Sequence, residues 1–349
     1  MKAALLRDLN VFEVCKIEKP KPGPTEVLIK VKAAGICGSD IHKMQSGWKY
    51  SLPMVMGHEF AGVVESIGKD VEKICVGDRV AVAPLIPCQE CTYCKAGKYQ
   101  LCEQYTMVGS QRFGGFAEYV TVPAENVLDI GHKISFEEAA MIEPLAVAAH
   151  GVMGLDVQVG DTVAVFGLGT IGLLSVQWLR LAGAKKIIGV DIDKNKIENS
   201  KKYGVTDTIL SLEESLEERI LALTDGLGVD IALECAGSPI TEEQCLLITK
   251  KGGKIGYQGI AYSDIMLQQE AFENIFRREY SIKGFWNSYS APFPGKEWLH
   301  SVSFIENKKI DLKSLVSHRF SLDQIQNAFD LTVNKYESYS KVIILPEDQ

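Results

Sequence analysis

The pattern of apolar and polar positions changes character along this chain. In its first part, "EVLIKVKAAGI" and "FAGVVESIG" alternate apolar with polar residues, the period of half-buried strands, and "VGDRV" supplies a Gly-Asp turn. Farther on, "DTVAVFGLGTIGLLSVQWLRLAG" opens with an alternating β-branched run at Thr162–Phe166 and continues as an apolar helical stretch. Residues 162–179 carry no charge, and the run only just reaches the roughly 18 to 20 residues that a membrane-spanning helix requires. Gly167, Gly169 and Gly172 break it, so it predicts a buried strand, a tight turn and a helix start instead. Strands are expected again within "KKIIGVDID" and at Asp207–Leu210, Val229–Glu234, 253–258 and 281–285, with helical stretches between several of them. This alternation predicts an α/β fold with a doubly wound parallel sheet over residues 147–284. Residues 1–146 and 285–349 then form one other, β-rich domain.

Length agrees with that division, since 349 residues exceed one ordinary core and suit two domains. With 46% apolar and 23% charged residues, the chain reads as globular rather than disordered. A net charge of −8 provides no basic field, so nucleic acid is not an expected partner. The start, "MKAALLRDLNVFEVCKIEKP", is broken by Arg7, Asp8 and Glu13 and has no apolar core for secretion. A cytoplasmic location and no membrane partner are therefore expected. In such a reducing compartment, clustered thiols are more often metal ligands than disulfides.

Four of the nine cysteines fall in "CQECTYCKAGKYQLC". Cys88, Cys91, Cys94 and Cys102, spaced x2, x2 and x7, can close a tetrahedron around zinc. Disulfides between cysteines three apart would be strained. An iron–sulfur cluster is the serious rival, but bacterial ferredoxins place the fourth cysteine of such a run after three residues and before proline. Here seven residues intervene and Glu103 follows. Four protein sulfurs leave no room for a substrate, so this zinc is expected to be structural.

An open metal site must come from other residues. "GICGSDIH" supplies Cys37, Ser39, Asp40 and His42; "MGHEFAG" supplies His58 and Glu59; "MIEPLAV" supplies Glu143. One sulfur, one imidazole and one carboxylate would hold zinc with a position to spare. Each residue alone has an ordinary reading: a buried cysteine, a satisfied histidine, a capping carboxylate. The turn Gly167-Leu168-Gly169-Thr170-Ile171-Gly172 is G-x-G-x-x-G between a strand and a helix, the context in which it cradles a dinucleotide pyrophosphate. Amides at the helix start would face the phosphates. Asp191 ends the next apolar run 24 residues after Gly167, where a carboxylate meets the ribose hydroxyls and repels a 2′-phosphate. NAD is thus expected over NADP. Lys196 could also reach the ribose, although a solvated helix position is at least as good a reading.

Together, "GHEFAGVVESIG", "VGDRVAV", the cysteine lobe, "GGFAEYV", "IEPLAVAAHG" and "GLGTIG" resemble, in order, the zinc-dependent medium-chain alcohol and polyol dehydrogenases. The resemblance covers essentially the whole chain. It implies a GroES-like β domain holding two zinc ions, joined to a Rossmann domain holding NAD. It also implies Cys37, His58 and Glu143 as catalytic zinc ligands, with Glu59 a position that ligates instead in related polyol enzymes. Ser39 and His42 stand where the family relays the departing proton, and zinc there lowers the pKa of the substrate hydroxyl. "LIPCQECTYCKAGKYQLC", "VGSQRFGGFAEY" and "WNSYSAPFPGKEW" are most similar to the branch that oxidises a hexitol phosphate. The implied partner is a polyol or polyol phosphate, in a homodimer or homotetramer. Arg112, Lys43 and Lys296 are candidates for the phosphate. Sorbitol/L-iditol, butanediol and threonine dehydrogenases are the alternatives within the family. A non-catalytic zinc- and nucleotide-binding protein would be expected to have lost some of these ligands or glycines.

Overall fold

The computed structural model describes residues 1–46 and 51–347. They form two compact units: Met1–Glu143 with Tyr289–Gln349, and Pro144–Ser288.

The second unit is a six-stranded parallel sheet in the order Asp207–Leu210, Lys186–Asp191, Thr162–Phe166, Val229–Glu234, Thr249–Tyr257, Ser281–Gly284. Chain order reverses beside Thr162–Phe166, which lies between Lys186–Asp191 and Val229–Glu234. Strands buried on both faces by helices read as continuous apolar runs. Ile188, Val190, Ala164, Phe166, Ala232 and Ile255 accordingly lie in one core. The fifth strand begins earlier than the pattern predicts, at Thr249 rather than 253. Thr249 pairs with Val229, and an irregularity in register absorbs the intervening lysines and glycines. The last strand ends at Gly284.

The first unit carries a sheet in the order Val127–Asp129, Arg79–Val82, Glu59–Ile67, Glu26–Gly35, Lys341–Leu345, Val316–Ser321, with Tyr119–Pro123 also paired to Glu26–Gly35. Its alternating residues meet in a core that includes Val27, Ile29, Val31, Phe60, Val64, Phe116, Phe329 and Ile344. Two consequences matter for the site. Residues near both chain ends lie on neighbouring strands, with Gly35 opposite both Glu59 and Ile343. The Glu26–Gly35 strand also runs directly into Cys37 and the Gly38–Ser46 helix. Among the described residues, no helix is long and apolar enough to cross a membrane.

Candidate metal centres and dinucleotide turn

The cysteine loop draws its four thiols together: the sulfurs of Cys88, Cys91, Cys94 and Cys102 all lie within 4.8 Å of one another. None is in a disulfide. Backbone amides point at the sulfurs, from Cys88 to Cys102 Sγ at 3.2 Å, Cys91 to Cys88 Sγ at 3.4 Å and Cys94 to Cys91 Sγ at 3.5 Å. The amides of Cys94 and Glu103 draw the Cys91 thiol down to about 6, and similar donors lower Cys88. Burial instead pushes Cys94 up to about 12 and raises Cys102. Four converging sulfurs supported by N–H donors fit a closed tetrahedral zinc site.

A second cluster sits where three strands meet. Donor atoms of Cys37, His58 and Glu59 lie within 4.8 Å of one another. The resemblance implies Cys37, His58 and Glu143, with Glu59 as the carboxylate that ligates instead in related enzymes; the structure groups Glu59 with the first two. The reason is local: Glu59 follows His58 in the chain, and its pairing with Gly35 holds it beside Cys37. Glu143 enters from the start of the Ile142–Gly154 helix and is 7% exposed. It makes no hydrogen bond or ion pair among the described residues. Burial pushes its carboxyl up to about 7, with His58 and Lys341 opposing the rise and Glu59 adding to it. A buried carboxylate without a partner is costly unless a cation joins it. With a sulfur, an imidazole and one carboxylate converging and a second buried carboxylate close enough to feel their charges, the residues fit a zinc ion that keeps an open position.

Two further residues belong here that sequence reasoning left without a role. Asp40, fully buried, accepts the Cys37 amide at 3.1 Å through Oδ2 and faces His58 Nδ1 at 3.3 Å through Oδ1. The latter pair is off the line of a hydrogen bond. Burial disfavours the Asp40 charge, yet His58 and Lys43 hold its pKa down to about 2. Burial likewise opposes a charged His58, but Asp40 and Cys37 keep it well above its ordinary value. A carboxylate this close to Nδ1 would orient the ring of a ligating histidine. Its signal was present, three residues after Cys37. Lys341 had none: it comes from the last strand and ion-pairs with Glu59 Oε2.

Ser39 and His42, three apart on the Gly38–Ser46 helix, share a face. Ser39 Oγ lies 3.4 Å from Cys37 Sγ, and His42 Nε2 lies 3.0 Å from Ser46 Oγ. Two of the three phosphate candidates are already engaged. Arg112 ion-pairs with Glu26, and the buried Lys43 donates to Ser110 Oγ at 2.8 Å, 3.6 Å from Asp40. Lys296, the first residue of the Lys296–Glu306 helix, is exposed.

In the second unit the glycine turn has the geometry its sequence requires. Gly167 adopts φ +82°, and a Cβ there would sit 2.8 Å from Ala236. A Cβ on Gly172 would run into the Gly167 carbonyl, whereas one on Gly169 would meet nothing within 4 Å. That open space lies at the start of the Thr170–Ala182 helix, with Thr170 and Ile171 as its first residues. It is a cradle for a phosphate. Asp191 accepts the Leu168 amide at 2.7 Å and the Asp193 amide at 2.9 Å, one on each oxygen. Its carboxylate thus braces the turn and retains lone pairs for a ribose. Lys196 is half-buried on the following helix, Lys194–Ser200. Glu234, unremarked in the sequence, is fully buried and accepts from the Ala236 and Gly237 amides at 2.8 and 3.0 Å, bracing the neighbouring turn.

Comparison with known proteins agrees with both units. The alcohol dehydrogenase GroES-like domain family matches residues 23–132, and the zinc-binding dehydrogenase family matches residues 170–303. Galactitol 1-phosphate 5-dehydrogenase of Escherichia coli (strain K12) is 33% identical over 92% of each chain. The crystal structure of galactitol-1-phosphate dehydrogenase from Escherichia coli superposes with a TM-score of 0.94 at 32% identity, covering 99% of this chain and 100% of that one. Sorbitol dehydrogenase of Bacillus subtilis (strain 168) is also 33% identical, over 99% of this chain and 97% of its own. A zinc-binding dehydrogenase from Sinorhizobium meliloti 1021, solved bound to NADP, matches with a TM-score of 0.91 at 33% identity over 99% of both chains. With both family domains matched in order and relatives aligned over nearly its full length, the chain belongs to the zinc-binding alcohol dehydrogenase family.

Proposed function

We propose that the protein oxidises a secondary alcohol of a hexitol phosphate, galactitol 1-phosphate to tagatose 6-phosphate, and passes the hydride to NAD. The observation that carries the oxidoreductase reading is the donor cluster of Cys37, His58 and Glu59 with Glu143 buried and unpartnered beside it. Zinc bound there would supply a Lewis acid that makes the substrate hydroxyl easier to deprotonate. Cys37, His58 and Glu143, or Glu59 in its place, would hold that ion, while Cys88, Cys91, Cys94 and Cys102 would hold the structural one. Ser39 would relay the departing hydroxyl proton, giving up its own as it takes that one up, through the nicotinamide ribose to His42 on the same helix face and on to solvent. Gly167, Gly169, Thr170, Ile171 and Gly172 receive the pyrophosphate, Asp191 the ribose, with Lys196 beside it. In this reading residues 1–146 and 285–349 are the catalytic domain and 147–284 the NAD domain.

Asp191→Ala should weaken NAD about tenfold and relax discrimination against NADP, because the carboxylate both accepts ribose hydrogen bonds and repels a phosphate. Titrating NADH and NADPH fluorescence reads both effects. A wild type that prefers NADP, as bound by the Sinorhizobium meliloti relative, would overturn the NAD assignment.

The likeness to galactitol 1-phosphate 5-dehydrogenase supports the phosphorylated substrate. A free polyol is the second reading, favoured by the equal identity to sorbitol dehydrogenase and by the engagement of Arg112 and Lys43. We expect kcat/KM for galactitol 1-phosphate to exceed that for galactitol or sorbitol by about a hundredfold, the scale of a charge-assisted phosphate contact. Lys296→Ala should reduce the phosphorylated substrate's kcat/KM much more than the free polyol's. Equal efficiency with sorbitol and its phosphate would move the protein to the sorbitol type. The four-residue edge strand Ser281–Gly284, exposed throughout, supports a homodimer or homotetramer; a monomer in sedimentation would reject that. A reducing, cytoplasmic setting suits the cysteine cluster, and secretion with the cysteines oxidised would contradict it.

A further inference from the structure

Three buried carboxylates surround Cys37 and His58, and two of them have a lysine of their own. Asp40 has Lys43 at 3.6 Å. Glu59 has Lys341, whose Nζ also donates to the Ile36 carbonyl at 3.0 Å; both side chains are 2% exposed. Glu143 has none. Counted as charges, the two lysines cancel Asp40 and Glu59. With His58 neutral and Cys37 deprotonated, as metal ligands must be, Cys37 and Glu143 would be left with one negative charge each, and together they would balance a dication. A buried site tolerates charge only when it is balanced in this way.

The Glu59–Lys341 pair depends on one glycine. Glu59 and Lys341 belong to the strands on either side of Glu26–Gly35, and they reach each other across it. A Cβ on Gly35 would lie 2.7 Å from Lys341 Cε and collide with Glu59 Oε2. The absence of a side chain there lets two buried groups far apart in the chain meet beside the metal ligands.

We propose that Lys341 is a positioning residue: it retains Glu59 as its own partner and so leaves Glu143 to be the carboxylate ligand of the open zinc site. Glu59 stands within reach of that ion together with Cys37 and His58. Released from Lys341, it would become an additional protein ligand and fill the position needed by substrate. The inference rests on the zinc-dehydrogenase reading and concerns which carboxylate serves it.

The test is release of zinc from the purified full-length protein to a chromophoric chelator, alongside total metal analysis. Cys37→Ser identifies the phase belonging to the open site by its loss. Lys341→Met should slow that phase about tenfold and lower kcat about tenfold or more, the scale on which partners of metal ligands act. Lys341→Arg should restore both. Glu59→Gln combined with Lys341→Met, which removes both charges, should return release to within about threefold of wild type. Unchanged or faster release in Lys341→Met, or slow release persisting in the double variant, overturns the proposal. Should Lys341→Met fail to fold, the single variants decide. Glu143→Gln should speed release about a hundredfold and Glu59→Gln less than threefold, and the opposite ranking refutes the inference. Wild type with only the cysteine-cluster zinc would overturn the zinc-dehydrogenase reading and this inference together. With two zinc ions present, a failure falls on the inference alone.

Discussion

Cys37→Ser should abolish turnover, lowering kcat by about a thousandfold or more, while NADH affinity should stay within about threefold of wild type. A serine hydroxyl does not ionise as a thiol does, so on the proposed assignment the open site would lose its sulfur ligand and with it the zinc. The loss should be confined to the metal. Serine keeps the size of the side chain, and the Cys37 amide still reaches Asp40 Oδ2. Cys37 lies in the unit formed by Met1–Glu143 and Tyr289–Gln349, whereas the glycine turn lies in Pro144–Ser288. No residue is shared between the two sites. Steady-state kinetics, metal analysis and NADH fluorescence titration measure the three quantities. Chelation of wild type should reproduce the loss, and added zinc should reverse it. Undiminished turnover by protein shown to be zinc-free would end the metal-dependent mechanism.

Cys94→Ser is expected to fail in a different way, through stability. Cys94 is buried and its sulfur lies 3.9 Å from that of Cys88, so its loss breaks a closed set of four. Zinc held by such a set contributes folding energy directly, and losing part of it costs several kcal/mol. At about 2 °C or more per kcal/mol, the melting temperature should fall by about 10 °C or more, with much of the protein insoluble. The fraction that remains folded should keep a kcat within about threefold of wild type, because none of these sulfurs belongs to the Cys37 cluster. Metal analysis should find two zinc ions per wild-type chain. Iron with acid-labile sulfide would overturn the assignment, and so would an unchanged melting temperature.

Much of this organisation is legible in the sequence. The four-cysteine loop and the glycine turn are local: their ligands or amides come from short segments, so spacing alone specifies them. The strand and helix around Thr162–Phe166 and Thr170–Ala182 follow from an apolar period that changes at the glycines. Family resemblance rested on the same short segments in order. The early start of Thr249–Tyr257 escaped the pattern, because a neighbouring strand recruited lysines and glycines that have little strand propensity of their own.

The open site divides differently. Sequence alone determined its donor chemistry, one cysteine, one histidine and two carboxylates spread over three motifs, and it placed Asp40 three residues from Cys37. Only the tertiary structure decided which groups are free. It gave Arg112 to Glu26 and Lys43 to Asp40 and Ser110, which removes two cations from the expected phosphate pocket. It also brought Lys341 across Gly35 to Glu59, a pairing between residues 282 positions apart. The physical reason is that a buried charge is controlled by its nearest counter-charge, and strand pairing sets that neighbour without leaving any periodicity or motif in the chain.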